Sequence, residues 1–170
     1  MTGVVLQNIV RWVLLMVVQV LVFNNIYLGG VLNPYVYVLI ILSLPIEIGA
    51  LATLMIGFFT GFILDLFSHT YGMHTMAFTL FGFLRPMVLS AIAPRDGYAF
   101  NSSANVRDMG LGLYAAYALI LIFTHHLLLF ILEGFGVESV WLIIEKVFLN
   151  TLLTFSIIMV LQSFSSKKEN

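Results

Sequence analysis

In the run GFFTGFILDLFSHTYGMH, from Gly57 to His74, one carboxylate stands among apolar side chains: Asp65, with Gly61 one helical turn and Gly57 two turns before it. Positions four apart drift by only about 40° around a helix, so the three share one stripe. Glycines there let a neighbouring helix approach closely, and a carboxylate within a membrane span costs about 2.5 kcal/mol or more unless protein, water or a cation answers it. Two roles are open to Asp65: capping the turn into the next helix, or meeting an interaction partner. Gly57, Gly61, Asp65 and Gly72 thus form a candidate packing or partner interface. Other polar groups fall toward the same end of the chain's apolar segments. His69, His74 and Thr75 flank the turn after Asp65, His125 and His126 are adjacent, and Lys146, Asn150 and Thr154 make a four-spaced row. Lys146 is the natural cation for Asp65 or Glu133. Asp65, His74, His125, Lys146 and Asn150 are expected to line an outward-facing polar cavity or groove.

Catalytic chemistry finds little footing. HTYGMH and HH match no zinc spacing such as H-E-x-x-H, and the chain has no cysteine. There is no G-x-S-x-G elbow, paired-glutamate metal motif or phosphate-cradling loop. No catalytic, cofactor-binding or metal site is expected. Arg85, directly before Pro86, reads as structural: it either snorkels or bonds carbonyls that the proline leaves free.

The elements that position these groups follow from composition. Of 170 residues, 61% are apolar and 9% charged, against roughly 25% charge in soluble domains, so the chain reads as an integral membrane protein of one domain. Its near-zero net charge gives no nucleic-acid signal. About 20 apolar residues cross a bilayer, and six such helices are expected, at about 9–28, 31–44, 47–68, 72–92, 110–132 and 141–164, with a polar connection at 93–109. The first lacks a basic leader and a small-residue cleavage site and reads as a retained span. The second, opened by Pro34 and closed by Pro45, reaches only about 16 Å as a helix, so it either begins near Gly30, crosses a thin region or is re-entrant. Arg95, Arg107, Lys167 and Lys168 place the connection and the C-terminus in the cytoplasm, and with six spans the N-terminus as well.

A short proline-started helix ending in LP, then G-x-x-x-G-x-x-x-D-L, then a glycine seven residues after the aspartate, resembles the rod shape-determining protein MreD family. The residues are Pro34, Pro45, Gly57, Gly61, Asp65, Leu66 and Gly72, and the residue-level likeness runs from about Asn33 to Phe83. The turn SHTYG departs from the family, whose members often have glycine directly after the serine. The resemblance implies a six-helix bundle related to the substrate-binding subunits of energy-coupling-factor vitamin transporters. It also implies a non-enzymatic role in bacterial cell elongation, in the inner membrane. The implied partner is the bitopic protein MreC, and through it peptidoglycan synthases and the MreB filament. The competing reading is a vitamin-binding transporter subunit that holds a ligand in the same cavity, and a third is an intramembrane lipid transferase.

Overall fold

The computed structural model describes residues 2–26, 31–99 and 102–165. The expected end of the first span at Leu28, the alternative start near Gly30, and the tail lysines Lys167 and Lys168 lie outside them. Helices dominate: α1 (Thr2–Leu21), α2 (Leu39–Leu42), α3 (Ala50–Ser68), α4 (Met73–Ala91), α5 (Val106–Met109), α6 (Leu111–Gly134) and α7 (Val140–Ser165). Among the described residues there is no strand, and an isolated bridge joins Pro45 to Ser103. Four helical stretches are long and apolar enough to cross a membrane: Val5–Asn25, Ala50–Ser68, Leu111–Gly134 and Val140–Phe164. The chain is an integral membrane protein on that ground. The 19-residue α4 matches α3 in length, about 28 Å at 1.5 Å per residue, but carries more polar side chains, with His74 and Arg85 on its buried face.

The expected helix at 31–44 is the main departure. Residues 33–35 have no regular structure, Val36–Val38 form a 3-10 turn, and only Leu39–Leu42 are α-helical. The whole stretch from Pro34 to Leu44 is nonetheless buried. Pro34 lacks an N–H, and its neighbours Asn33 and Tyr35 give theirs to side chains of α7. Irregular backbone and 3-10 turns rise more per residue than an α-helix, so the stretch reaches further than the about 16 Å of a helix of the same length.

Such backbone survives at membrane depth only where protein satisfies its polar groups, and here side chains from four helices do so. Asn150 Oδ1 accepts from the Asn33 N–H at 2.6 Å, and its amide donates to the Val31 carbonyl at 2.9 Å. Thr154 accepts from the Tyr35 N–H. Gln19, fully buried, accepts from the Tyr37 N–H and donates to the Pro34 carbonyl. Tyr117 donates to the Leu42 carbonyl and Arg11 to that of Ser43. Arg85, with no exposed surface, donates to the carbonyls of Leu44 and Pro45 at 2.6 and 3.1 Å.

These bonds also give direction. Between residues 34 and 43 the segment tracks α1 backward from Gln19 to Arg11. Between residues 37 and 44 it tracks α4 forward from His74 to Arg85. It therefore runs antiparallel to α1 and parallel to α4, and ends against the α4–α6 connection, where the Ile46 N–H meets the Ser102 carbonyl. At the other end, Asn24 donates to Ser68, so the close of α1 sits beside the α3–α4 turn.

Candidate functional site

The glycine stripe is filled from within the chain. A Cβ on Gly61 would lie 2.5 Å from the His74 carbonyl oxygen and 2.6 Å from Thr75 Cα, and one on Gly57 would overlap the Phe78 carbonyl. Gly82 on α4 returns the same fit against Thr53. The notch therefore seats α4, and Gly57 and Gly61 are not open to an outside helix. Gly72 acts differently: it has φ +95°, caps α4, and has no heavy atom within 4 Å of an added Cβ. It supplies the left-handed turn that other residues adopt at a cost.

Asp65 ends in the same turn. Its Oδ1 accepts from Thr70 Oγ1 at 2.5 Å and the His74 N–H at 3.0 Å, while Oδ2 accepts from the Thr75 N–H at 2.8 Å and Thr75 Oγ1 at 2.5 Å. Four donors surround one carboxylate and tie the last turn of α3 to the first turn of α4. Two of them are helix N-terminal amides, which are without partners inside their own helix. Of the two roles open to Asp65, the turn cap is the one the geometry displays.

Lys146 answers other acids. Its Nζ donates to Glu138 at 2.6 Å and lies 3.8 Å from Glu133, so the Glu133 expectation holds at long range and no Asp65 pair is seen among the described residues. Glu138 sits in the short α6–α7 turn, next to Lys146 once the chain reverses. Spacing along α7 alone gave no sign of it.

His74 and His125 converge on Tyr37 of the irregular segment: the phenol oxygen is 2.9 Å from His74 Nδ1 and 2.7 Å from His125 Nε2. A hydroxyl carries one hydrogen, so one imidazole must donate to it. Assigning the donor to His125 Nε2 leaves its buried Nδ1, which has no partner, as an unmet acceptor, a cheaper state than an unmet donor. Tyr37 then donates to His74 Nδ1. Next to this chain His126 Nδ1 contacts Thr151 Oγ1 at 3.1 Å. Both adjacent histidines are buried, with Tyr35, Tyr37 and Phe130 packed around them.

Arg85 does not serve the carbonyl freed by Pro86. That carbonyl belongs to Gly82, four residues earlier, and Thr53 Oγ1 donates to it at 2.8 Å.

Beside this core, at the Asn24 end, lie two adjoining polar chambers of about 220 and 310 Å³. Asn24, Asn33, Tyr35 and Glu133 line both; Lys146 lines the first and His74 and Thr70 the second. Of the five residues expected to line a polar cavity, His74 and Lys146 line these chambers, while Asp65, His125 and Asn150 do not and bond other groups of the protein. Asn33 and Tyr35 line the chambers because the segment that carries them is irregular rather than helical, and Asn24 does so from the turn after α1. At the α1–α3 face a separate apolar groove of about 440 Å³ runs between Ile9, Trp12, Ile40, Met55 and Phe59. Among the described residues no cluster of three or more histidines and acids is arranged to hold a metal.

No family model, no curated protein and no solved structure matches this chain.

Proposed function

We propose that this chain is a non-enzymatic membrane interaction protein of the bacterial cell-elongation machinery, of the MreD type, lying in the inner membrane and binding a bitopic MreC-type partner. Peptidoglycan synthases and an MreB-type filament would be reached through that partner. The observation that carries the reading is that the residues of the MreD-like motif form one working unit. Gly57 and Gly61 admit α4, Asp65 ties the turn, Gly72 shapes it, and Pro34 and Pro45 bound the irregular segment. A chance small-xxx-small pattern has no reason to recruit the aspartate and both prolines as well.

The bundle in this reading crosses the membrane six times, with 31–44 as the second crossing and α4 as the fourth. The N-terminus, the 93–109 connection and the C-terminus then share the cytoplasmic side, in keeping with Arg95 and Arg107. Such a bundle would be related to the substrate-binding subunits of energy-coupling-factor transporters.

With the glycine notch occupied by α4, the groove between α1 and α3 is the surface left for a single transmembrane helix, which gains van der Waals contact there. The test uses the absence of native cysteine: Met55→Cys and Phe59→Cys chains are crosslinked in native membranes to a cysteine-scanned MreC-type transmembrane helix. Crosslinks at these positions, absent from Leu127→Cys on α6, support the reading. An intact chain that neither crosslinks nor co-purifies with that partner overturns it.

A further inference from the structure

We infer that the twin polar chambers at the Asn24 end form a binding site for a ligand bearing a primary ammonium group. The argument rests on what the chamber walls leave unanswered, and is independent of the partner proposed above. Asn33 lines both chambers, and its Oδ1 is buried without a hydrogen-bond partner. Glu133 also lines both, and its carboxylate is 3.8 Å from Lys146 Nζ, beyond hydrogen-bond reach. Glu138, which lines neither chamber itself, uses one oxygen on the lining Lys146 and leaves Oε2 buried and unmet. The unmet groups are all acceptors, so the missing component is a donor.

Charge points the same way. Glu133 and Glu138 face one cation, Lys146, and no other lysine or arginine lines either chamber among the described residues; His74, which lines the second, accepts from Tyr37 through Nδ1 in the assignment above. The Asp65 charge is enclosed by its four donors. One negative charge is left over, which a monocation would balance. Buried acceptors and an uncompensated carboxylate together favour N⁺–H donors over a quaternary ammonium, which has none to give. At about 30 Å³ per water, each chamber holds a group of several heavy atoms, enough for an ethanolamine unit. The chambers lie near the ends of α1, α3 and α6, the depth at which lipid headgroups meet a membrane protein, so the ammonium can come from a free solute or from a phosphatidylethanolamine headgroup.

The test has two arms, both on the full chain. In the first, thermal unfolding in detergent is followed against ethanolammonium chloride and against choline chloride at equal ionic strength. In the second, the chain is released from mixed micelles with equal phosphatidylethanolamine and phosphatidylcholine, and retained lipid is counted by native mass spectrometry. Glu133→Gln removes the surplus charge at an exposed position, and Glu145→Gln on α7 is the control. The expected result is a saturable, ethanolammonium-specific rise in midpoint or selective retention of phosphatidylethanolamine. Glu133→Gln should weaken it about tenfold, the loss of one charge-assisted bond, and Glu145→Gln should leave it unchanged. A response in the first arm alone assigns a free solute, and one in the second alone a headgroup. Equal response to ethanolammonium and choline with no lipid preference, or a Glu133→Gln chain indistinguishable from the parent in both arms, overturns the inference.

Discussion

The side chain of Asn150 takes the place of a neighbouring strand for Asn33: it accepts that residue's N–H at 2.6 Å and returns a bond to the carbonyl of Val31 at 2.9 Å. A helix residue thus completes the backbone of a segment 117 positions away. The same arrangement recurs at Gln19, Thr154, Tyr117 and Arg85, and it accounts for polar groups in spans that otherwise exclude them.

Replacing Asn150 by leucine strips partners from two part-buried backbone groups at once. A loss of about 3 kcal/mol is expected from two such vacancies, read as a fall in the thermal midpoint of the purified chain. Leu152→Ala, on the exposed face of the same helix, should change stability by under about 0.5 kcal/mol.

Asp65→Asn keeps one acceptor oxygen but turns an amide toward N–H and O–H donors. About 2 kcal/mol should be lost, and hydrogen exchange at the His74 and Thr75 amides should quicken. Lys146→Met should add to this change without coupling, since Lys146 bonds Glu138 and not Asp65. A coupling above about 1 kcal/mol would restore a direct pair between them.

Gly61→Ala and Gly72→Ala separate packing from turn geometry. The first places a methyl against backbone atoms at 2.5 and 2.6 Å, so α3 and α4 must part, at about 2–3 kcal/mol. The second meets open space and strains only φ, at about 1 kcal/mol. Equal penalties would contradict the close helix contact.

Thr53→Val should be damaging only while Pro86 is present. With Pro86→Ala, the new N–H restores the helical bond to the Gly82 carbonyl, which Thr53 now serves. The double-mutant cycle should show a coupling of about 1 kcal/mol, and strict additivity would assign Thr53 another role.

Much of this was legible in the chain itself. The apolar runs located α3, α4, α6 and α7 to within three residues at their ends, and the spacing of Gly57, Gly61 and Asp65 marked the face that α4 occupies. The irregular segment was not, because PYVYVLIILSL is as apolar as a buried helix of the same length, and periodicity does not separate the two. Its partners are equally hidden: Asn150 and Thr154 were visible as a polar row, but nothing local says that their acceptors serve Asn33 and Tyr35. Glu138 was missed because its contact with Lys146 depends on a turn of a few residues, whose shape sequence spacing does not convey.

In the six-span bundle that we propose, residues 31–44 pass from one face of the membrane to the other as side-chain-clamped backbone. Labelling by a membrane-impermeant thiol reagent tests it directly, on single cysteines at Asn25, before the segment, and at Gly49, after it, where an added side chain meets nothing within 4 Å. The account predicts that Asn25→Cys labels from the same side as Tyr71→Cys and Gly49→Cys from the opposite side, with Asp96→Cys; labelling of Asn25→Cys and Gly49→Cys from one side would contradict it.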